Sequence, residues 1–255
     1  LAEEHCGEAA AFLERHRAAH GVAAHPHVAE VFDSGVADGQ PFFAMEALDG
    51  STLANYVTAQ GPLSQGDVSR FVAQLAAALD HLHGHDTQHG GLDDGCVLIV
   101  RDSGGTPSVK LVGVGVRAAS SAPPASTYLA PEQLAGPPDT PAADIFALAL
   151  LAYQLFTGHD AMQLYGALTP SDAAAKIDSP TRPRPSAQAG LAALRLPHGF
   201  DDWFARANAH DPSQRFASAG EAATFLSQLV AGAASPTQLG DSHPVAGFHA
   251  RTTAQ

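Results

Sequence analysis

Ala142-Ala143-Asp144-Ile145-Phe146-Ala147-Leu148-Ala149-Leu150-Leu151-Ala152-Tyr153-Gln154-Leu155-Phe156, wound as a helix, is apolar nearly all the way round. A surface helix carries one apolar stripe, so a helix without a polar side has to be enclosed by protein. The stretch predicts a central buried helix with a helical body around it. Upstream, Ser64–Leu82 places Val68, Phe71, Val72, Leu75, Ala78, Leu79 and Leu82 on one stripe at helical spacing, as a long helix packed on a core requires. Shorter helices are expected at Ser171–Lys176, Asp201–Ala209 and Ser218–Val230. Two short strands, Val97–Val100 and Val109–Val112, flank the polar loop Arg101–Pro107. Nearer the N-terminus Val28–Phe32 and Pro41–Ala47 read as strands, with turn chemistry in Asp33-Ser34-Gly35 and Asp38-Gly39-Gln40. His25-Pro26-His27 ends a modestly amphipathic helix over Glu8–His20. From Ala233 onward too few large apolar groups remain to pack, and disorder is expected.

At 255 residues and 45% apolar, the chain can bury a substantial core as one folded unit with a tail. Its net charge of -13, with Lys110 and Lys176 the only lysines, is the opposite of what phosphate-tracking surfaces need. Nucleic acid and anionic membrane are therefore excluded as expected partners. Cys6 and Cys96 lie far apart in no metal-type spacing, which leaves neither a disulfide framework nor a zinc site. No run approaches the ~20 apolar residues needed to span a bilayer, so a cytoplasmic segment without direct membrane contact is expected. The chain does not begin with Met, which leaves open a larger, membrane-anchored protein.

The stretch His89-Gly90-Gly91-Leu92-Asp93-Asp94-Gly95-Cys96-Val97-Leu98 resembles a protein-kinase catalytic loop stripped of its chemical groups. Other strings resemble the bacterial serine/threonine protein-kinase family in the same order. His25-Pro26-His27-Val28 is similar to the turn after the regulatory helix, and Phe43-Ala44-Met45-Glu46-Ala47-Leu48-Asp49-Gly50 to the last N-lobe strand and hinge. Val109-Lys110-Leu111-Val112-Gly113-Val114-Gly115 resembles the strand into the metal-binding Asp-Phe-Gly motif, and Tyr128-Leu129-Ala130-Pro131-Glu132-Gln133-Leu134 the Ala-Pro-Glu end of the activation segment. Asp144-Ile145-Phe146-Ala147-Leu148 through Gly158 resembles the central C-lobe helix, and Asp211-Pro212-Ser213-Gln214-Arg215-Phe216 the segment whose arginine pairs with the Ala-Pro-Glu glutamate.

The resemblance implies an α+β, two-lobed fold: a partial N-lobe over residues 1–48 with a regulatory-type helix and two strands, a helical C-lobe over 49–232, and a tail over 233–255. The glycine-rich strands and the strand with the phosphate-anchoring lysine have no counterpart, and Leu1 falls about where the regulatory helix would begin. Phosphoryl transfer needs a base for the substrate hydroxyl, two metal-holding groups and a lysine on the nucleotide phosphates. By the resemblance the loop Asp falls at Gly91, the metal-binding Asn at Cys96, and the Asp of Asp-Phe-Gly at Gly113. A thiol is a poor ligand for magnesium. The loop lysine falls at Asp93, and one unpaired carboxylate ~4 Å from a phosphate charge is unfavourable by ~4 kcal/mol at an effective dielectric of about 20. Val114 stands for the phenylalanine over His89. No catalytic residue is therefore assigned; His89, Gly91, Asp93, Cys96 and Gly113 are the degenerate positions.

Three structural residues are implied to survive: Asp144, holding the loop around His89, and the pair Glu132 and Arg215. A hinge contact to adenine would come from Met45 (the gatekeeper), Glu46 and Leu48. No cofactor or metal is expected, metal-free ATP being the alternative for a nucleotide sensor. The leading expectation is a pseudokinase acting on a protein partner or neighbouring domain. Its rival is a weak or atypical serine/threonine kinase whose glycine-rich loop and lysine lie before Leu1. His81, His83, His85 and His89 read as a helix end and its turn rather than a metal site, and Asp93-Asp94 as a solvated acidic turn. Glu14, one or two residues off the regulatory glutamate's spacing, reads as a surface acid. Ser120, Ser121, Ser126 and Thr127 have only Arg117 nearby to receive a phosphate, and Pro236-Thr237-Gln238 reads as linker.

Overall fold

A computed structural model describes residues 24–37, 40–102, 104–115, 127–136 and 140–234. The helix expected over Glu8–His20 with Glu14, the thiol of Cys6, the hydroxyls of Ser120, Ser121 and Ser126, Arg117, and the segment from 235 onward lie outside the described residues. The strands are β1 (Val31–Ala37), β2 (Gln40–Met45), β3 (Gly50–Thr52), β4 (Val97–Arg101) and β5 (Pro107–Leu111). The principal helices are α1 (Leu53–Gln60), α2 (Gln65–His83), α3 (Pro131–Leu134), α4 (Pro141–Thr157), α5 (Ala161–Tyr165), α6 (Pro170–Asp178), α7 (Pro185–Gln188), α8 (Phe200–Ala207) and α9 (Ala219–Ala234). The expected α+β class is what the chain adopts.

The central helix is α4, buried from Ala143 to Thr157 on every side. Its ends are set by local chemistry. Thr140 Oγ1 accepts the Ala143 N–H at 3.2 Å, Pro141 sits where its missing N–H costs nothing, and Gly158 closes the helix at φ 76°, left-handed backbone that favours glycine. Helix α2 starts at Ser64, whose hydroxyl oxygen accepts from Asp67 N–H, and its apolar stripe packs on α4. Beneath α4, the rings of Phe156, Phe200, Trp203 and Phe204 meet edge-on or tilted, and the Trp203 indole N–H is satisfied by the Ala222 carbonyl at 2.8 Å. Helix α9 lies along α2. Its first N–H groups, Ala219 and Gly220, donate to the two carboxylate oxygens of Asp80 at 3.0 and 2.9 Å. A Cβ on Gly220 would stand 2.5 Å from Asp80 Oδ2, so the close approach requires glycine.

Strands β3, β4 and β5 form an antiparallel sheet, while β1 and β2 form a separate hairpin. A single parallel bridge, Val28 with Leu111, connects them: Ala29 N–H donates to Leu111 O and Leu111 N–H to His27 O. Strand β1 corrects the expected break at Asp33-Ser34-Gly35. These residues stay in the strand because they pair with Phe42–Ala44 of β2, with the Phe42 ring over Gly35, where a Cβ would be only 2.7 Å from it. Cross-strand packing here outweighs turn propensity. Ala233 and Ala234, expected in the tail, belong to α9. Among the described residues no helix is long and apolar enough to cross a membrane.

Substituting Asp80→Ala strands the part-buried Ala219 and Gly220 N–H groups, and is expected to lower unfolding free energy by about 1–3 kcal/mol in urea with an unchanged slope. A loss below a few tenths would show that α9 needs no anchor on α2.

Candidate functional site

Asp144 lies in the first turn of α4 and is 1% exposed. Its Oδ2 accepts the His89 backbone N–H and its Oδ1 that of Gly90, both at 2.9 Å. A carboxylate is acceptor-only, so His83 Nε2, 2.9 Å from Oδ2, donates the third bond. The loop is held from further sides. The His89 ring is buried and donates from Nε2 to Val112 O at 3.0 Å, Gly115 N–H returns to His89 O, and Val112 N–H bonds Cys96 O. Gln133 in α3 donates its amide to Gly90 O at 2.7 Å and accepts from Ala130 N–H, tying Ala130-Pro131-Glu132 to the loop. The structure thus brings together His89, Gly91, Asp93 and Cys96 on one loop and Gly113 on the adjoining one. Gly113 sits at φ 76°, left-handed backbone that glycine adopts freely.

Two side chains of the loop, Asp93 and Cys96, are occupied by the loop itself. Asp93 Oδ1 accepts from Gly95 N–H and Cys96 N–H at 3.0 Å each, an Asx turn. The Cys96 thiol points at Gly91 O, 3.7 Å away, and burial followed by the charge of Asp93 pushes its pKa up to about 12. It stays protonated at neutral pH. Asp94 corrects the expected solvated turn. Its Oδ2 accepts the Gln154 side-chain amide at 2.9 Å, and the Tyr128 hydroxyl lies 3.3 Å away while donating to Gln154 Oε1 at 2.7 Å. Burial pushes the Asp94 carboxyl above its usual range, despite the Gln154 bond that favours its charge. The same triangle joins the loop, α4 and the segment before α3. Beside it opens a cavity of about 420 Å³ lined in part by Asp94, Gln154 and Asp160.

Arg215 and Glu132 meet as expected. The guanidinium makes two bonds to the carboxylate, 2.6 and 2.8 Å, reaches Ala142 O and Ala209 O, and lies 5.1 Å over the Phe146 ring. Met45 is 40% exposed, and Glu46 N–H is spent on Glu30 O at 2.9 Å. The Glu46 carboxylate binds Lys110 at 2.5 Å and Glu30 N–H; although burial opposes its charge, these bonds hold its pKa low. Lys110 is thereby engaged, and Lys176 is spent on Gly166 O and Asp172. Of the four histidines, His83 and His89 serve the loop, while the His81 and His85 rings lie 4.6 Å apart. Among the described residues no group of three or more His, Cys, Asp or Glu is arranged to hold a metal ion.

Sequence reading alone missed His83, Gln133, Gln154, Tyr128 and the Lys110–Glu46 pair, which act across 34 to 64 residues of chain. The signal within reach was the polar Gln154 inside an otherwise apolar helix.

Comparison with known proteins finds the protein kinase domain family matching residues 3–187. The serine/threonine-protein kinase PknH of Mycobacterium bovis is 30% identical over 210 residues, covering 78% of this chain and 33% of the relative. PknD of Mycobacterium tuberculosis is 31% identical over 207 residues, covering 78% and 30% respectively. PrkC of Bacillus subtilis is 27% identical over 206 residues, covering 76% and 30%. The chain thus spans about a third of the length of these relatives.

The pKa of Asp94 is raised in the fold, so ionising it costs stability near neutral pH, and the cost disappears as pH falls below its folded value. Asp94→Asn is expected to raise the melting temperature at about pH 7 and to change it little near about pH 4. An equal change in melting temperature at both pH values would remove the partly buried charge from the account.

Proposed function

This chain belongs to the protein kinase domain family, and we propose that it is a member without phosphotransfer activity, a pseudokinase module that acts by binding a protein partner or regulating a neighbouring domain. The observation carrying this reading is that the three positions implied to supply the base and the metal ligands are Gly91, Cys96 and Gly113. Two have no side chain, and the third is a part-buried thiol that holds its proton to about pH 12. The donor set does not fit a magnesium ion, which takes several oxygen ligands. Asp93 offers no replacement, its carboxylate being spent on Gly95 and Cys96 N–H. Losing a general base alone removes a factor of ~10²–10⁴. Losing base and metal seats together leaves no group to balance charge on a transferring phosphate.

The retained frame supports a structural use. Asp144, Gln133 and the Arg215–Glu132 pair keep the loop and α3 in one arrangement, which a binding surface needs. The kinase names of the relatives favour the rival, a weak or atypical ATP-dependent serine/threonine kinase completed by sequence outside this chain. Met45, Glu46 and Leu48 would still offer hinge contacts, so metal-free ATP binding belongs to the first reading as a variant.

A thermal-shift titration of the longest natural chain with ATP, with and without magnesium, paired with radiolabelled phosphate transfer, separates these readings. No transfer above a heat-killed control, and no shift that depends on magnesium, is the expected outcome. Transfer that survives repeated purification and vanishes with the metal would overturn the proposal.

A further inference from the structure

The turn that suspends the β1–β2 hairpin from the rest of the fold is built from imidazoles. His25 and His27 lie in it, and the His25 ring stacks on that of His81 in the last turn of α2, centroids 4.8 Å apart and planes within 23°. His85 lies against the far side of His81 at 4.6 Å. His25 Nδ1 accepts the His27 backbone N–H at 3.2 Å, which fixes its neutral form with the proton on Nε2. His27 Nδ1 donates to Val109 O at 3.0 Å in turn. Stacked rings present their faces rather than their lone pairs to each other, so the pair is not poised to chelate an ion.

We propose that His25 is a proton-operated latch: uncharged, it accepts the His27 N–H and stacks on His81, pinning the turn and the hairpin to β5 and α2; protonated, it releases both. The mechanism follows from donor and acceptor count. A second proton adds an Nδ1–H that points at the His27 N–H, two donors facing each other with no acceptor between them. It also sets a cation face to face with a second imidazole ring.

The surroundings make the charge unwelcome. Facing His25 are His27 from the turn, His81 from α2 with His85 behind it, and Lys110 from β5. Across a cavity of about 320 Å³ stand Glu30 and Glu46. Of these two carboxylates Glu46 is engaged by Lys110 at 2.5 Å. Burial first, then the charges of His81, His27 and Lys110, lower the pKa of His25 from its usual 6.5. A lowered histidine pKa means the released state takes up the proton more readily. The latch therefore holds fully above about pH 6.5 and weakens as pH falls below that. What it releases is well defined. The turn is tied to β5 by Ala29 N–H to Leu111 O, Leu111 N–H to His27 O and Lys110 Nζ to Val28 O. The latch rests on the turn's own geometry and holds whether or not the chain transfers phosphate.

Amide hydrogen exchange on the full chain, with protection factors corrected for intrinsic rate, tests it between about pH 7.5 and about pH 5, the range in which imidazoles titrate. Protection at Ala29 and Leu111 is expected to fall by about tenfold or more as the turn detaches, while Val72, Leu75 and Leu79 in α2 stay protected. A histidine NMR titration of the native chain should place the His25 midpoint below 6.5. His25→Phe, which keeps a ring on His81 without a proton, should make Ala29 and Leu111 insensitive to pH. Constant protection in the native chain, an equal loss throughout α2, or a loss that persists in His25→Phe would each overturn the latch.

Discussion

One carboxylate buried in the first turn of the central helix fixes the geometry of the loop that defines this fold. Asp144 takes two successive backbone N–H groups, His89 and Gly90, on its two oxygens, and an imidazole N–H from His83 besides. A buried carboxylate is tolerable only with such partners, and two peptide N–H groups without it would be equally costly. The constraint is mutual. From it the rest follows outward: Gly90 O anchors Gln133, Gln133 holds Ala130, and Glu132 next to it grips Arg215, whose guanidinium returns to Ala142 at the start of the same helix. The ring of contacts closes on α4.

That closure separates shape from chemistry. In an active kinase the loop's polar groups serve substrate and metal. In this chain the acids and the thiol of the loop have internal partners: Asp93 the two N–H groups after it, Asp94 the Gln154 amide beside Tyr128, and Cys96 the Gly91 carbonyl. On the proposed reading the domain keeps the family's frame as a rigid platform, with the β1–β2 hairpin as its adjustable part, hung through the turn at His25–Val28.

The sequence made the helical body readable because its signals are local. A helix apolar on all sides between Thr140-Pro141 and Gly158 admits one interpretation, and the Val68–Leu82 stripe another. The motif order was enough to place His89, Glu132, Asp144 and Arg215. What stayed hidden depends on side chains distant in sequence. Asp93 and Asp94 look alike as neighbours, yet one faces its own turn while the other is drawn inward by Gln154, 60 residues on. Asp33-Ser34-Gly35 carries turn residues, and only Phe42 across the hairpin keeps them extended. Lys110 could be excluded as a phosphate anchor from its strand, but its partner Glu46, 64 residues earlier, could not be named.

A loop held in shape with no seat for metal-bound phosphate is best tested by paramagnetic broadening. Manganese–ATP titrated into isotope-labelled protein broadens the amide signals nearest the ion, and those of Gly91, Cys96 and Gly113 would border any metal seat. The account predicts that these signals keep the intensity seen with an equal amount of chelated manganese. Selective loss of the three, reversed by excess magnesium–ATP, would contradict it.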